Sequence, residues 1–151
     1  MPRVSLFLDS SALFAGIASS TGAARALLLL AEAGQITITV SEQGVTETER
    51  ALARKLPQAL LYYREAIRST GLRIVRDPSV EESRAHQGII GHPADVPIVV
   101  AAMKADVDYL ATFNRRHFID DPGVAARSGI PMGTPGEALA WVREQLVRDA
   151  K

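Results

Sequence analysis

Four acidic or amide side chains stand where an apolar, strand-like segment passes into a helix or a loop. They are Asp9, Glu47, Asp95 and Asn114. Asp9 follows the apolar run at residues 4–8, and Asn114 closely follows a second run at residues 109–112. Hard cations such as Mg²⁺ and Mn²⁺ take oxygen ligands, and carboxylates gathered from several elements supply them without a dedicated loop. The pattern therefore predicts a divalent-cation site.

Composition narrows the classes of site that this chain can build. At 151 residues, 47% of them hydrophobic, the chain is long enough for one domain with a substantial core. It has no cysteine, which excludes disulfides, thiolate zinc sites and thiol nucleophiles. Its three histidines, His86, His92 and His117, are too few to favour an all-imidazole metal site. No segment has the pattern of a signal peptide or a membrane span, so we expect a cytoplasmic protein with no membrane partner.

The net charge of zero gives no support for general binding to nucleic acid. Local basic patches remain available beside an acidic site. Three arginine pairs could form such a rim: Arg50 with Arg54, Arg64 with Arg68, and Arg115 with Arg116.

Apolar strands alternate with helical patterns along the chain, which is typical of a largely parallel sheet. Strands are predicted at residues 4–8, 36–40, 72–75 and 108–112, with a possible fifth near 130–132. A helix over residues 23–33 is predicted to open at Thr21 or Gly22, and further helices are expected near 42–56, 57–69, 80–88, 96–105 and 135–147. Residues 119–136, rich in Pro and Gly, are predicted to be mainly loop. The fold class expected is a single three-layer α/β/α domain over residues 1–151 with four or five parallel strands.

Ligands of open α/β sheets bind at the carboxyl ends of the strands. If the first and fourth strands are neighbours, Asp9 and Asn114 lie on one rim of the sheet. The sequence therefore predicts one shared pocket.

Four segments carry a resemblance to a known family. They are Leu8-Asp9-Ser10-Ser11-Ala12-Leu13, Val45-Thr46-Glu47-Thr48-Glu49-Arg50-Ala51-Leu52, Asp95 with the apolar helix after it, and Asp108-Tyr109-Leu110-Ala111-Thr112-Phe113-Asn114. In order and spacing they resemble the PIN-domain family of metal-dependent nucleases, many of which are ribonuclease toxins of bacterial toxin–antitoxin pairs. The resemblance implies a three-layer PIN-like fold. It also implies that Asp9, Glu47 and Asp95 bind Mg²⁺ or Mn²⁺, and that Ser10 or Ser11 orders the first acid or its water.

The fourth position departs from the commonest family pattern, since Asn114 stands where many relatives have Asp. An amide carbonyl can ligate Mg²⁺ or a coordinated water but adds no negative charge. We therefore expect weaker metal binding, or one ion instead of two. His117 also stands where such loops often have an acid and could contact phosphate or the leaving group, while Asp120 and Asp121 could compensate for the missing charge.

Simpler interpretations exist for the candidate ligands. Asp9 and Asp95 could each cap a helix, a role that Asp often has. On a helical wheel Glu49 shares a face with Val45, whereas Glu47 lies on another side, so either glutamate could be the ligand.

The chemistry that the resemblance implies is hydrolysis of RNA phosphodiester bonds. Asp9, Glu47, Asp95 and Asn114 would be catalytic, and the substrate would be bound by Ser10, Ser11, Thr112, Arg115 and Arg116. The expected protein is a Mg²⁺- or Mn²⁺-dependent endoribonuclease, the toxin of a toxin–antitoxin pair, a homodimer silenced by a small antitoxin protein. The alternative is a degenerate, non-catalytic PIN domain that binds RNA or protein. A phosphatase-like hydrolase with Asp9 as nucleophile ranks lower, because such enzymes usually have a second Asp where this chain has Ser11.

Overall fold

Five parallel strands form one sheet at the centre of the computed structural model, which describes residues 3–150. The strands are β1 (Val4–Leu8), β2 (Ile36–Ser41), β3 (Arg73–Val75), β4 (Tyr109–Ala111) and β5 (Met132–Gly133). Their order across the sheet is β3-β2-β1-β4-β5, and every neighbouring pair is parallel. The prediction of a three-layer α/β/α fold with a parallel sheet is confirmed, and the sheet has five strands. Residues 1, 2 and 151 of the predicted domain lie outside the described residues.

Eight α-helices connect and cover the strands of the described chain. They are α1 (Ser10–Ala18), α2 (Ala23–Glu32), α3 (Glu42–Lys55), α4 (Leu60–Ser69), α5 (Val80–Ala85), α6 (Val96–Ala105), α7 (Pro122–Ser128) and α8 (Pro135–Asp149). Short 3₁₀ turns at Pro57–Ala59 and Pro93–Asp95 precede α4 and α6, and a single π-helical turn spans Arg115–Ile119.

Two helices of the structure, α1 and α7, were not among those predicted. The helix predicted to open at Thr21 or Gly22 is present as α2, whereas α1 begins earlier, at Ser10, because the Asp9 side chain accepts a hydrogen bond from Ala12 N and starts a helix directly after β1. Helix α7 forms inside the segment predicted to be loop. Asp121 caps it, Pro122 occupies its first turn, and Gly129 ends it with φ of 74°, so its sequence signals were present.

The sheet is buried on both faces by two apolar clusters. Leu6 and Leu8 contribute to one cluster, and Phe7, between them in β1, contributes to the other. All three side chains are at most 1% exposed, as is typical of a central strand in a parallel sheet. On the second face lies α6, whose residues 99–102 are no more than 1% exposed, as is typical of a helix that is apolar nearly all round.

The winding of the sheet reverses between β1 and β4. Strands β2 and β3 add on one side of β1, whereas β4 and β5 add on the other. Leu8 pairs with Ala111 at the carboxyl ends of β1 and β4, and Asp9 N continues the pairing by donating to Ala111 O at 3.3 Å. The residues that follow these two strands therefore meet at the point where open α/β sheets bind ligands.

No single helix within residues 3–150 is long and apolar enough to cross a membrane. Helices α1 and α2 reach that length and apolar character only as a pair, and the pair is bent by 87°.

Strand β5 depends on a glycine that leaves room for an aromatic side chain. A Cβ atom on Gly133 would overlap the Tyr109 hydroxyl and would lie 3.0 Å from Glu137 Cβ. The Tyr109 ring cannot retreat freely, because it packs against Trp141 with ring centroids 5.0 Å apart. Gly133 O also accepts a hydrogen bond from Thr112 N at 2.9 Å, so this close packing supports the end of β4.

We expect Gly133→Ala to lower the free energy of unfolding by about 1–3 kcal/mol, the usual cost of overpacking a core. Urea denaturation of the purified protein measures it. Gly136→Ala is the matched control, since a Cβ there meets only Thr134 Oγ1 at 3.8 Å and alanine favours the helix. Equal stability of Gly133→Ala and the wild type would contradict the packing described.

Candidate metal centre

Asp9 lies at the centre of a hydrogen-bond network that joins the ends of β1 and β4. Its side chain is buried, with the residue 7% exposed. Oδ1 accepts hydrogen bonds from Ser11 Oγ at 2.7 Å and from Ala12 N at 3.0 Å, and Oδ2 accepts one from Thr112 Oγ1. The interpretation of Asp9 as a helix cap is therefore correct but incomplete, because two hydroxyl groups also hold the carboxylate.

Burial raises the pKa of the Asp9 carboxyl, although the hydrogen bonds from Thr112, Ser11 and Ala12 act in the opposite direction. Among the described residues no basic side chain forms an ion pair with it. A buried carboxylate without a counter-charge is unfavourable. A bound cation would supply the charge that the protein does not.

The segment after β4 is fixed to the same carboxylate. Thr112 Oγ1 accepts a hydrogen bond from Asn114 N at 2.9 Å, and Ser11 Oγ accepts one from Phe113 N at 3.0 Å. The Asn114 side chain in turn caps the π-helical turn, with Oδ1 accepting from His117 N at 3.2 Å. The backbone of Asn114 is thus linked to Asp9 through the Thr112 hydroxyl, at the carboxyl ends of the neighbouring strands β1 and β4.

Asp95 has surroundings quite different from those of a helix cap. Its side chain makes no capping hydrogen bond to α6, so that interpretation was wrong. Instead Oδ2 lies 2.9 Å from Nδ1 of His117 and 3.6 Å from Nδ1 of His92. The two imidazole rings stack with centroids 4.4 Å apart and planes at 14°. The predicted role of His117 at phosphate or the leaving group is untested, but its ring faces Asp95.

The two glutamates of α3 face different surroundings. Glu47 is exposed and lines a groove of about 360 Å³ that Ser10 and Ser11 also line. Glu49 lies in a separate groove beside Tyr63, where burial raises the pKa of the Tyr63 hydroxyl and the Glu49 charge raises it further. Of the two candidates, Glu47 is therefore the one on the same side of the molecule as the Asp9 network.

The structure does not draw the three predicted carboxylate ligands into one tight group. Within the described part of the chain, the donor atoms of His92, Asp95 and His117 all lie within 4.8 Å of one another, and Asp9 and Glu47 add no atom to that group. The oxygen donors present suit a divalent ion in their chemistry. The sequence did not predict that the imidazoles of His92 and His117 would lie together beside Asp95. The only available signal was that His92 comes three residues before Asp95.

The predicted basic residues stand at the edge of the site. Arg115 is exposed and forms an ion pair of 3.2 Å with Glu137 at the start of α8. Arg116 lines a cavity of about 280 Å³ together with His92 and His117. The Asp121 side chain caps α7 and forms an ion pair of 3.3 Å with Arg127. Asp120, the preceding residue, is exposed.

Phe113 is a site feature that the sequence analysis missed. Its side chain is 51% exposed, unusual for a large apolar residue next to a buried strand. It lines the Glu47 groove together with Phe14 and Lys55. The signal available in the sequence was its place between Thr112 and Asn114, at the end of β4.

Comparison with known proteins identifies the family. A family model described as PIN domain matches residues 5–116, a span that contains all four residues with which the sequence analysis began. The chain belongs to the PIN domain family, whose members are generally metal-dependent nucleases.

One similar solved structure is the crystal structure of PAE2754 from Pyrobaculum aerophilum. It superposes with a TM-score of 0.62 over 93% of this chain and 90% of that one, at 17% sequence identity, a level of likeness that shows the fold alone. No curated protein sequence matches.

We expect Asp9→Asn to raise the melting temperature of the metal-free protein at about pH 7. A carboxyl whose folded-state pKa is raised above 3.8 binds its proton more tightly in the folded than in the unfolded protein. The destabilisation of the fold by ionised Asp9 is therefore complete at pH values above the folded-state pKa. It is absent at pH values far below 3.8. The gain from the uncharged amide should accordingly shrink as the pH falls towards about 4.

Thermal unfolding in EDTA at several pH values measures this. Asp108→Asn is the control, since Asp108 is exposed and accepts a hydrogen bond from Ser5 N at 2.8 Å, and no gain is expected there. A loss of stability in Asp9→Asn at every pH would contradict the argument from burial.

Proposed function

We propose that this protein is a Mg²⁺- or Mn²⁺-dependent endoribonuclease that hydrolyses RNA phosphodiester bonds. The observation that carries the proposal is the Asp9 carboxylate. It is 7% exposed, has no ion-pair partner among the described residues and lies where the winding of the sheet reverses. Membership in the PIN domain family supports the same chemistry.

The residues proposed to hold the ion are Asp9, Glu47 and Asp95, with Asn114 as a neutral fourth member. A divalent ion held there would supply the Lewis acidity that activates water for attack on phosphorus. Ser11 and Thr112 fix the orientation of the Asp9 carboxylate through the hydrogen bonds that they donate to it. Oδ1 accepts two hydrogen bonds and Oδ2 accepts one, so a lone pair of Oδ2 stays available for a cation.

Single-stranded RNA is the substrate that the surface around the site favours. Phe113 presents an exposed ring in the groove beside Glu47, and aromatic rings stack on unpaired bases of any sequence. Lys55 lines the same groove and, with Arg115 and Arg116, could neutralise backbone phosphates. Ser10 completes the proposed set of substrate-binding residues with Ser11 and Thr112.

The biological setting is proposed on the family pattern. We propose that the protein is the toxin of a toxin–antitoxin pair, acts in the cytoplasm, forms a homodimer and is silenced by a small antitoxin. Exposed apolar side chains on α4, Leu61 at 75% and Tyr62 at 36%, support an interaction with a further protein chain.

Cleavage of a mixed pool of single-stranded RNA tests the nuclease, with Mg²⁺, with Mn²⁺ and with EDTA. We expect metal-dependent cutting that Glu47→Gln reduces about 100-fold or more, since a ligand to the ion stabilises the transition state by several kcal/mol. Glu49→Gln is the matched control, because Glu49 lies in the groove of Tyr63, and it should cut like the wild type. Equal activity of both variants, or cutting in EDTA, would contradict the proposed ligand set.

The non-catalytic alternative rests on Asn114, and one substitution separates it from the nuclease. Asn114→Asp keeps the oxygen that accepts from His117 N and adds a negative charge to the segment that Thr112 links to Asp9. If the wild type is an enzyme, this variant should reach half-maximal cleavage at a lower Mg²⁺ concentration. If the wild type cuts nothing under any metal and Asn114→Asp does cut, the natural protein is a binding module. Asn114→Ala lacks both the charge and the capping oxygen. It should therefore show neither a lower Mg²⁺ requirement nor new cleavage activity.

A further inference from the structure

We infer that His92, Asp95 and His117 form a site for a transition-metal ion of the Zn²⁺ or Co²⁺ type, in addition to the carboxylate site proposed above. The three donor atoms already lie within 4.8 Å of one another. Both imidazoles present Nδ1 to the same carboxylate oxygen, Asp95 Oδ2, at 2.9 and 3.6 Å. The donor atoms are therefore close together, but the two ring planes are nearly parallel, so the exposed His92 ring must turn out of the stack for both Nδ1 lone pairs to point at one ion.

The backbone on either side is built to bring the two rings together. His92 immediately precedes the 3₁₀ turn that carries Asp95, while His117 lies in the π-helical turn after β4. A π-helical turn inserts an extra residue relative to an α-helix and is common at functional sites. It leaves the His117 ring stacked on His92 and against Asp95, although 22 positions separate His117 from Asp95 in sequence.

The Nδ1 atom of His117 has two polar neighbours and can form a hydrogen bond with only one of them. Its Nδ1 faces an acceptor, Asp95 Oδ2 at 2.9 Å, and a donor, Asn114 Nδ2 at 3.1 Å. One ring nitrogen either carries a proton and donates, or is bare and accepts, so only one contact can be a hydrogen bond. Exchanging the amide O and N of Asn114 would not allow both contacts to be hydrogen bonds. Oδ1 already accepts a hydrogen bond from His117 N at 3.2 Å, and the exchange would place the amide nitrogen against that donor. A metal ion bound to a bare Nδ1 and to the carboxylate satisfies both of those groups.

The donor set selects the class of metal. Two imidazoles and one carboxylate are ligands of Zn²⁺ and related ions, which take nitrogen readily and keep a position open for water. Mg²⁺ prefers oxygen ligands in an octahedral arrangement and gains little from imidazole. His92 is exposed and Asp95 and His117 are half-buried, so an ion can reach the site from solvent.

This site extends the proposed function and shares only Asp95 with it. Its occupation is measured on the protein without RNA, so its failure and that of the nuclease are separate results. Glu47→Gln distinguishes them directly, because we expect it to reduce cleavage as stated above while Zn²⁺ and Co²⁺ bind as in the wild type.

The first test uses the wild-type protein after removal of any affinity tag. The chain has three histidines, and the third, His86, is a built-in reference, since its Nδ1 lies 2.9 Å from Glu82 O. Titration with Zn²⁺ should shift the NMR signals of two imidazoles and leave the third unchanged, whereas Mg²⁺ should shift none of them comparably. Movement of no imidazole, or of all three alike, would overturn the inference.

Single variants then assign the ligands. Co²⁺ added to the wild type should give one bound ion with visible absorption bands, and His86→Gln should behave identically. His92→Gln and His117→Gln should each weaken Co²⁺ binding at least about 10-fold, with circular dichroism confirming that each variant is folded. Unchanged Co²⁺ affinity in both variants, or equal weakening in His86→Gln, would show that these residues do not hold the ion.

Discussion

The hydrogen bond from the Thr112 hydroxyl to the Asp9 carboxylate is the interaction on which the site depends. It joins residues 103 positions apart. It links the carboxyl ends of β1 and β4, where the winding of the sheet reverses. Ser11 adds a second link, because its hydroxyl donates to Asp9 and accepts from Phe113 N. These bonds offset part of the cost of burying a carboxylate. Asp9 is therefore held rigidly in an environment that still favours the approach of a positive charge.

Much of the fold could be predicted because it is written in local patterns. Strand β1 is apolar on both faces, and α6 is apolar nearly all round. Each of these patterns predicts a buried element. The errors fell where neighbouring signals compete. Helix α1 begins only one residue after β1 ends, so no loop signal separates the two elements in the sequence. Strand β5 has only two residues, too few for a pattern, and its place depends on pairing with β4 and on the space that Gly133 leaves for Tyr109.

The site was predictable in its location and less so in its details. Asp9 and Asn114 meet because both follow parallel strands, an argument that needs only the order of elements. The choice between Glu47 and Glu49 depended on which side of α3 faces α1, and periodicity alone does not give that direction. The pairing of His92 with His117 required the π-helical turn, whose extra residue has no recognisable signature in sequence. Family resemblance could not supply it either, since the resemblance concerned the carboxylates.

The position of β1 at the middle of the sheet also sets the order in which the protein can assemble. Until β4 has been made and added, β1 has one unpaired edge and Asp9 lacks its Thr112 partner. Contacts so distant in sequence close late and slowly in parallel sheets. A nascent chain that has not yet reached residue 112 can thus hold β1, β2 and β3 together with an exposed strand edge. About three quarters of the 151 residues must therefore be made before the arrangement around Asp9 can exist.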